Sequence, residues 1–291
     1  MINDAHCHFF SSRFLELLVP NAKAEEIAGR LQWTAPGTPL ELADRWVAEL
    51  DRHGVSRAAL IASIPGDAAS VAEAVAQHPA RFVGFFMHNP AAPSADAVLA
   101  RALTESHMRA VCLFPAMHGY RLDDEIVEGV FRAAAAGGAA VFAHCGVLTV
   151  GVRKKLGLPS RFDLRLGDPL ALARTALAFP DVPVIIPHFG AGYFREALMA
   201  ADQCPTIHLD TSSSNGWIKF HPGLTLEAVF KQALAVVGPS RLLFGTDSSF
   251  FPRGWQAGIY EEQQRIMNPL GVSVDDRIAI FGGNFDRLFP A

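Results

Sequence analysis

Three short apolar runs indicate the architecture of this chain: RAALIAS at residues 57–63, FVGFFMH at 82–88 and AVCLF at 110–114. Each run has the length and composition of a buried strand. Stretches of helical spacing lie before, between and after them, at Leu40–His53, Asp67–His78, Ser94–His107 and Asp124–Ala136. Strands that alternate with helices in this way predict a parallel sheet with helices packed outside it.

The second half of the chain continues the alternation. Further strands are predicted at Ala139–Ala143, Val182–Pro187 and Arg241–Thr246. Helices are predicted to begin at Asp168-Pro169, where a capping acid precedes a first-turn proline, and after Thr225, where apolar residues recur at i, i+3, i+4 and i+7. With a first strand before residue 9 and a seventh before Trp217, eight strands can be counted, which predicts an α/β fold, a distorted (β/α)8 TIM barrel.

Length and composition agree with one globular domain over residues 1–291. A TIM barrel needs roughly 250 residues, so the excess is assigned to an N-terminal loop insertion at 9–39, with a helix at Phe14–Val19, and to C-terminal helices. Half of the residues are hydrophobic and only 19% are charged, which argues against disorder. The net charge of −4 makes nucleic acid a poor partner.

Other features bear on location. The four cysteines lack the paired spacing of a metal or disulfide motif, and no signal-peptide pattern is present, so a reduced, cytoplasmic protein is expected. No apolar run reaches the ~20 residues that a membrane span requires. We therefore expect no membrane insertion.

Five polar side chains stand where predicted strands end: His6, His8, His144, His188 and Asp247. In a TIM barrel the carboxyl ends of all strands lie on one face, so these distant residues would meet there. Side chains alternate along a strand, so His6 and His8 point to the same side. A lone His or Asp at a strand end usually only meets solvent or caps a helix, but five such residues favour a metal site that keeps a position open for water or substrate.

Several motifs resemble those of a known enzyme superfamily. They are Asp4-Ala5-His6-Cys7-His8, Phe114-Pro115 with Gly119-Tyr120, His144-Cys145-Gly146, His188-Phe189-Gly190-Ala191, Gly245-Thr246-Asp247 and the terminal Gly283-Asn284-Phe285-Asp286-Arg287. Together they resemble the amidohydrolase superfamily, and within it the branch that contains aminocarboxymuconate-semialdehyde decarboxylase and related decarboxylases, hydratases and lactonases. The resemblance spans nearly the whole chain.

The resemblance implies a role for each strand-end residue. His6, His8 and His144 would be metal ligands, Asp247 an acidic ligand that also transfers a proton, and His188 a neighbour of the metal-bound water. Many relatives carry a carboxylated lysine on strand four that bridges two metals, but Cys112 stands there in this chain. We therefore expect one divalent ion, Zn²⁺ with Mn²⁺ as the alternative. For Cys112 we expect a space-filling role, with a soft ligand to a second ion as the alternative. A homodimer is implied by family analogy alone.

Some cationic and aromatic residues are candidates for substrate binding. The connection Gly146–Gly167 is locally basic, with Arg153, Lys154, Lys155, Arg161 and Arg165 against a single Asp163, and would attract a carboxylate. Arg253 is the preferred carboxylate clamp because a guanidinium presents two parallel donors. Further candidates on the same face are His88, Trp217 and His221.

Three functions are consistent with these residues. The first is a metal-dependent hydrolase, in which metal-activated water attacks an ester, lactone or amide of a small anionic substrate. The alternative is non-oxidative decarboxylation at the same mononuclear site. A non-catalytic metal-binding protein is less favoured, because His188 is one polar group more than a structural zinc site of four ligands needs.

Overall fold

A closed ring of strands forms the centre of the molecule. The structure, a computed structural model, describes residues 1–212 and 215–291, and within these ranges eight parallel strands pair in chain order, each with the next. The strands are β1 (Ile2–Phe9), β2 (Val55–Ala62), β3 (Phe82–His88), β4 (Ala110–Leu113), β5 (Ala140–Ala143), β6 (Val184–Ile186), β7 (Ile207–Asp210) and β8 (Leu242–Leu243). The predicted TIM barrel is confirmed.

The ring closes between β1 and the residues that follow β8. The Ala5 amide donates to the Phe244 carbonyl (2.8 Å), the Asp247 amide to the His6 carbonyl (2.9 Å) and the His8 amide to the Ser248 carbonyl (2.7 Å). The strand predicted at 241–246 is thus too long, since regular pairing ends at Leu243 and the chain then turns at Asp247, whose φ is 59°. The irregular seam is the distortion expected of this barrel.

Helices surround the ring and cover its ends. They are α1 (Ser12–Leu18), α2 (Ala24–Leu31), α3 (Pro39–Arg52), α4 (Ala68–Gln77), α5 (Ala95–Thr104), α6 (Pro115–His118), α7 (Glu125–Gly137), α8 (Gly151–Lys155), α9 (Pro169–Ala178), α10 (Phe194–Gln203), α11 (Leu226–Val237), α12 (Ala257–Met267), α13 (Val274–Ile278) and α14 (Asn284–Leu288). Most predicted helices lie within two residues of these bounds. The helix predicted to reach His107 ends at Thr104, and His107 itself has a left-handed backbone.

Apolar clusters fix the two ends of the barrel. The interior is filled by strand residues, among them Cys112, which is fully buried, and Phe285 and Phe289 of the C-terminal segment pack into the same cluster. At the other end, α1 and α2 of the N-terminal insertion bury an apolar cluster that includes Val152 and Leu156 of the α8 region. The insertion therefore packs against the long connection after β5. Within the described ranges, no helix is long and apolar enough to cross a membrane.

Candidate metal centre

The local shape of β1 directs its two histidines. Asp4 pairs with Ala58 and Cys7 with Leu60, so β1 contains one residue more than β2 over this interval. Such a bulge bends a strand and re-aims a side chain, and bulges are common beside active sites. Cys7 is buried in the layer between strands and helices, whereas His6 and His8 both line a cavity at the barrel mouth.

Three ligand atoms converge at this mouth. His6 Nε2 lies 3.3 Å from His8 Nε2, and Asp247 Oδ1 lies 2.9 Å from His8 Nε2 and 3.5 Å from His6 Nε2. Bonds of about 2.0–2.1 Å in a tetrahedral zinc site would place ligand atoms about 3.3 Å apart. The observed triangle therefore has the dimensions of a metal site.

Hydrogen bonds on the far side of each ring fix its tautomer. His6 Nδ1 lies 2.7 Å from Asp210 Oδ2, an acceptor, so Nδ1 carries the proton. Ser63 Oγ donates its proton to the Ile61 carbonyl (2.9 Å) and so accepts from His8 Nδ1 (2.7 Å). In the neutral imidazoles, both Nε2 atoms then present lone pairs to each other. This arrangement is stable only with a proton or a cation between them.

Charge around the centre favours a cation. Burial lowers the pKa of His6, but the Asp210 carboxylate, followed by Asp247 and Asp4, outweighs burial and raises it overall. Burial raises the pKa of Asp247, but a hydrogen bond from His8, whose Nε2 then carries a second ring proton, and the charge of His6 outweigh burial and place the pKa well below its usual range. A divalent ion would take the place of that proton, and an ionised carboxylate with two imidazole nitrogens is a donor set that Zn²⁺ and similar ions accept.

Asp210, which sequence reasoning missed, is the acid that orients His6. It is fully buried at the end of β7, and Ser212 Oγ also approaches His6 Nδ1 (2.9 Å). Carboxylate partners of this kind fix the tautomer of a ligating histidine and raise its basicity. The available signal was its position, because Asp210 ends a strand just as the other site residues do.

His188 faces the same centre from the end of β6. One ligand atom each from His6, His188 and Asp247 lie within 4.8 Å of one another. His188 Nδ1 donates to the Ser212 carbonyl (3.2 Å), which leaves the lone pair on Nε2, and burial lowers the pKa of this histidine. Its φ of 57° is unusual for a residue other than glycine. Such strain is often found where a side chain is held in place for function.

His144 supplies an unsatisfied nitrogen. The side chain is buried, its ring stacks on Phe114 (centroids 5.3 Å apart) and meets the His188 ring edge-on (5.3 Å). Its Nδ1 has no hydrogen-bond partner among the described residues. Burial, followed by the charges of His188 and His6, holds its pKa well below the usual range. A neutral, buried imidazole with an unpartnered nitrogen beside the triangle fits a metal ligand.

Close packing explains two glycines of the motifs. A Cβ on Gly146 would collide with the carbonyls of Gly190 and Ala191, so the His144 and His188 segments can approach only through glycine. A Cβ on Gly245 would lie 2.9 Å from Asp210 Oδ1 and 3.0 Å from His6 Cβ. Both glycines allow backbone segments to come close enough for the site to assemble.

Asp4 supports the seam rather than the ion. Its carboxylate accepts from the His6 amide (2.9 Å), the Thr246 amide (3.1 Å), the Thr246 hydroxyl (2.6 Å) and Trp255 Nε1 (2.7 Å). It is fully buried and does not line the cavity. Asp4 thus ties β1 to the segment that carries Asp247.

Beyond the ligands, a row of aromatic rings lines one wall of the cavity, which we call the aromatic slot. It measures about 350 Å³. Nearly parallel rings run along one wall: His8 and Phe10 (5.7 Å between centroids), Phe10 and Trp33 (5.8 Å), Trp33 and Phe251 (5.4 Å). Trp33 Nε1 is shielded from solvent and has no hydrogen-bond partner among the described residues. The position of Trp33 within the insertion gave no signal of its place in the wall of this cavity.

Two cations lie at the rim of the slot. Arg253 and Lys155 line the cavity, and Asp247 is the only carboxylate among the described residues that line it. Neither cation forms an ion pair with another described residue. Arg253 is therefore placed as a carboxylate clamp would be.

The other predicted substrate residues do not line this cavity. Trp217 is buried against Phe194 (5.8 Å between centroids) and His221 (5.8 Å), and His221 Nε2 donates to the Gly192 carbonyl (3.0 Å). His88 is buried, and burial lowers its pKa to about 4. These placements give the three residues packing roles, and contact with substrate remains a prediction for them.

Comparisons with solved structures agree with the fold. An amidohydrolase from Burkholderia multivorans with bound zinc aligns with a TM-score of 0.68 and 16% identity over 99% of this chain and 98% of its own. A dihydroxybenzoic acid decarboxylase from Polaromonas sp. JS666, with manganese and the inhibitor 2-nitroresorcinol, aligns at 0.64 and 18% over 99% and 97%. The probable 2-pyrone-4,6-dicarboxylic acid hydrolase from Acinetobacter baumannii, with citric acid bound, aligns at 0.64 and 15% over 100% and 99%.

Sequence comparison identifies the family. Among proteins of curated function, none matches this chain. The amidohydrolase-2 family model, described as amidohydrolase, matches residues 4–291. This match confirms the resemblance carried by the motifs. The chain therefore belongs to the amidohydrolase-2 family of enzymes.

Proposed function

We propose that this protein catalyses the metal-dependent, non-oxidative decarboxylation of a small, planar, unsaturated carboxylic acid. The observation that carries the proposal is the aromatic slot that leads to the metal centre, with His8, Phe10, Trp33 and Phe251 in nearly parallel ring contacts. An aromatic lining of this kind favours a ligand with an apolar, conjugated body, since aromatic rings gain contact area with little loss of conformational freedom. Lys155 and Arg253 at the rim favour an anion.

The metal would be held by His6, His8, His144 and Asp247, with His188 beside them. These residues present imidazole nitrogens and one carboxylate, which suits one Zn²⁺ or Mn²⁺, the ions bound in two proteins of the same fold. A bound divalent cation would polarise a substrate oxygen and stabilise the negative charge that develops during the reaction.

The walls of the cavity can promote loss of CO2. Phe14, Phe114 and Met117 would strip water from the carboxylate that is lost. The carbon that bears this carboxylate first gains one proton. The C–C bond then breaks, its electron pair restores the conjugated system, and CO2 leaves. His188 Nε2 bears a lone pair and faces the centre, so we assign to it the uptake of that proton from solvent and its transfer to carbon, with Asp247 as its partner.

A second candidate is hydrolysis of an ester, lactone or amide. The lowered pKa of His188, caused first by burial, keeps its imidazole neutral and able to accept a proton from water. A probable hydrolase of a planar dicarboxylic lactone shares the fold. Both reactions need the same ligands and one cationic clamp, so the reaction must be assayed directly.

The first experiment is elemental analysis followed by a substrate panel in D2O. About one Zn or Mn per chain is expected, with loss of the metal in the His6→Ala and Asp247→Ala variants. Metal-loaded protein is then incubated with aromatic and dienoic acids and with carboxylate-bearing lactones. CO2 release with one deuterium at the vacated carbon supports decarboxylation, whereas acid release without CO2 supports hydrolysis. A metal-loaded protein inactive on every compound would instead favour the non-catalytic metal-binding hypothesis.

A further inference from the structure

A second chamber opens beside the aromatic slot. It measures about 490 Å³ and lies between α1, the loop after β2, the α6 region and the long connection after β5. The two cavities share the lining residues Phe14, Ser63, Met87, Met117 and Val150. The two cavities therefore adjoin each other along these five residues.

The polar side chains described in the lining of this chamber are all basic or hydroxyl groups, and none is acidic. Arg153, Arg161 and His118 line it, and no carboxylate is found among the described residues of its lining. Burial, followed by the neighbouring His88, lowers the pKa of His118 to about 4, so the positive charge comes from the two arginines. A concave, partly apolar space with two guanidinium groups and no counter-ion attracts anions.

The polar atoms of the chamber also lack partners. Arg153 Nε and His118 Nδ1 are shielded from solvent and have no hydrogen-bond partner among the described residues. One terminal nitrogen of Arg153 donates to the Pro159 carbonyl (2.6 Å), which holds the guanidinium in place. In contrast, Arg165 on the same connection points away and pairs with Asp163 (2.6 Å). The terminal nitrogens of Arg153 and the exposed guanidinium of Arg161 are therefore the groups of the chamber that can donate to an anion.

We propose that the second chamber binds a second carboxylate of the substrate, so that the substrate is a dicarboxylic acid whose other end lies at the metal centre. This inference rests on the function proposed above and narrows its substrate class. Arginine suits the role because its planar fork donates two parallel hydrogen bonds to one carboxylate. Arg153 and Arg161 then act as specificity-determining residues.

The test compares binding of matched monoanions and dianions to the metal-loaded protein. The probes are benzoate with benzene-1,3-dicarboxylate, and 2-naphthoate with naphthalene-2,6-dicarboxylate, measured by isothermal titration calorimetry. At least one dianion is expected to bind tenfold or more tightly than its monoanion. That preference should fall at least fivefold in Arg161→Met and Arg153→Met, be retained in part in Arg161→Lys, and be unchanged in Arg165→Met.

Two results would overturn the inference: equal binding of both members of each pair by the unmodified protein, or a preference that survives unchanged in Arg161→Met. Arg161 forms no ion pair or hydrogen bond with another described residue, so Arg161→Met decides the outcome even if Arg153→Met unfolds. If the preference depends on Arg161 while no acid releases CO2, the proposed reaction is wrong and the chamber assignment stands. If monocarboxylates release CO2 while monoanions and dianions bind equally, the proposed reaction stands and the chamber assignment is wrong.

Discussion

Replacement of Asp210 by Asn tests whether His6 is a metal ligand held in one tautomer. Asp210 Oδ2 accepts from His6 Nδ1 (2.7 Å), while Oδ1 accepts from the Ser212 amide. Asparagine keeps only one acceptor, so its amide NH2 must face one of these two N–H groups. If it faces His6, the ring must move its proton to Nε2, and the nitrogen aimed at the ion is blocked. If it faces Ser212, two buried donors oppose each other, which costs about 1–3 kcal/mol of stability.

The expected loss of metal affinity in Asp210→Asn is about 10- to 100-fold, or about 1.4–2.7 kcal/mol, as for other acids that support a ligating histidine. It is measured by competition between the apoprotein and a chromogenic chelator for Zn²⁺. Asp67→Asn is the matched control, because Asp67 is also fully buried but contacts Ser11 (2.8 Å) and Ser70 (2.6 Å) rather than a histidine. A correctly folded Asp210→Asn protein that binds Zn²⁺ within threefold of the unmodified chain would refute this account of the centre.

Three further perturbations probe the proton path, a buried acid and the packing of the site. His188→Gln should lower kcat about 100- to 10,000-fold on any acid that turns over, and undiminished turnover would remove the proton-transfer role. Burial raises the pKa of Asp67 from 3.8 to about 6, so the folded state holds this proton more tightly than the unfolded state. The free energy of unfolding should therefore fall by up to about 3 kcal/mol as pH rises from about 4 to about 6, and urea unfolding of Asp67→Asn should lack this slope. Gly245→Ala puts a methyl group 3.0 Å from His6 Cβ, so it should lower the free energy of unfolding by about 1–3 kcal/mol and weaken metal binding. Gly258→Ala, whose added Cβ would have no atom within 4 Å, should change neither quantity.

The sequence was most informative about features that recur along the chain at regular spacing. Alternating apolar runs and amphipathic stretches predicted the barrel, because every strand must be buried on both sides and every helix on one. The strand-end rule then placed His6, His8, His144, His188 and Asp247 on one face, and in the structure all five line the same cavity. The predicted end of the last strand was wrong, because strand pairing stops at the seam and a run of apolar residues does not show where hydrogen bonding between strands ends.

The partners of the site residues could not be predicted in the same way. Asp210 and Ser63 set the tautomers of His6 and His8, yet each hydrogen bond joins side chains from strand ends that lie far apart in sequence. No period or motif in one sequence shows which of these side chains meet in the fold. Asp210 could have been proposed as a further strand-end acid, but its role as the partner of His6 required the folded structure.

The basic connection after β5 shows why composition alone misjudges a loop. Its five cations are equivalent in sequence, but the fold gives four of them different surroundings: Lys155 lines the aromatic slot, Arg153 and Arg161 line the second chamber, and Arg165 pairs with Asp163 in solvent. What separates them is the packing of α8 against the N-terminal insertion, through Val152 and Leu156. The same contact brings Phe10 and Trp33 of the insertion into one cavity lining with Lys155. The slot and the chamber are therefore formed jointly by the N-terminal insertion and the long connection after β5, and we expect substrate choice in this chain to depend on these two segments more than on the metal ligands.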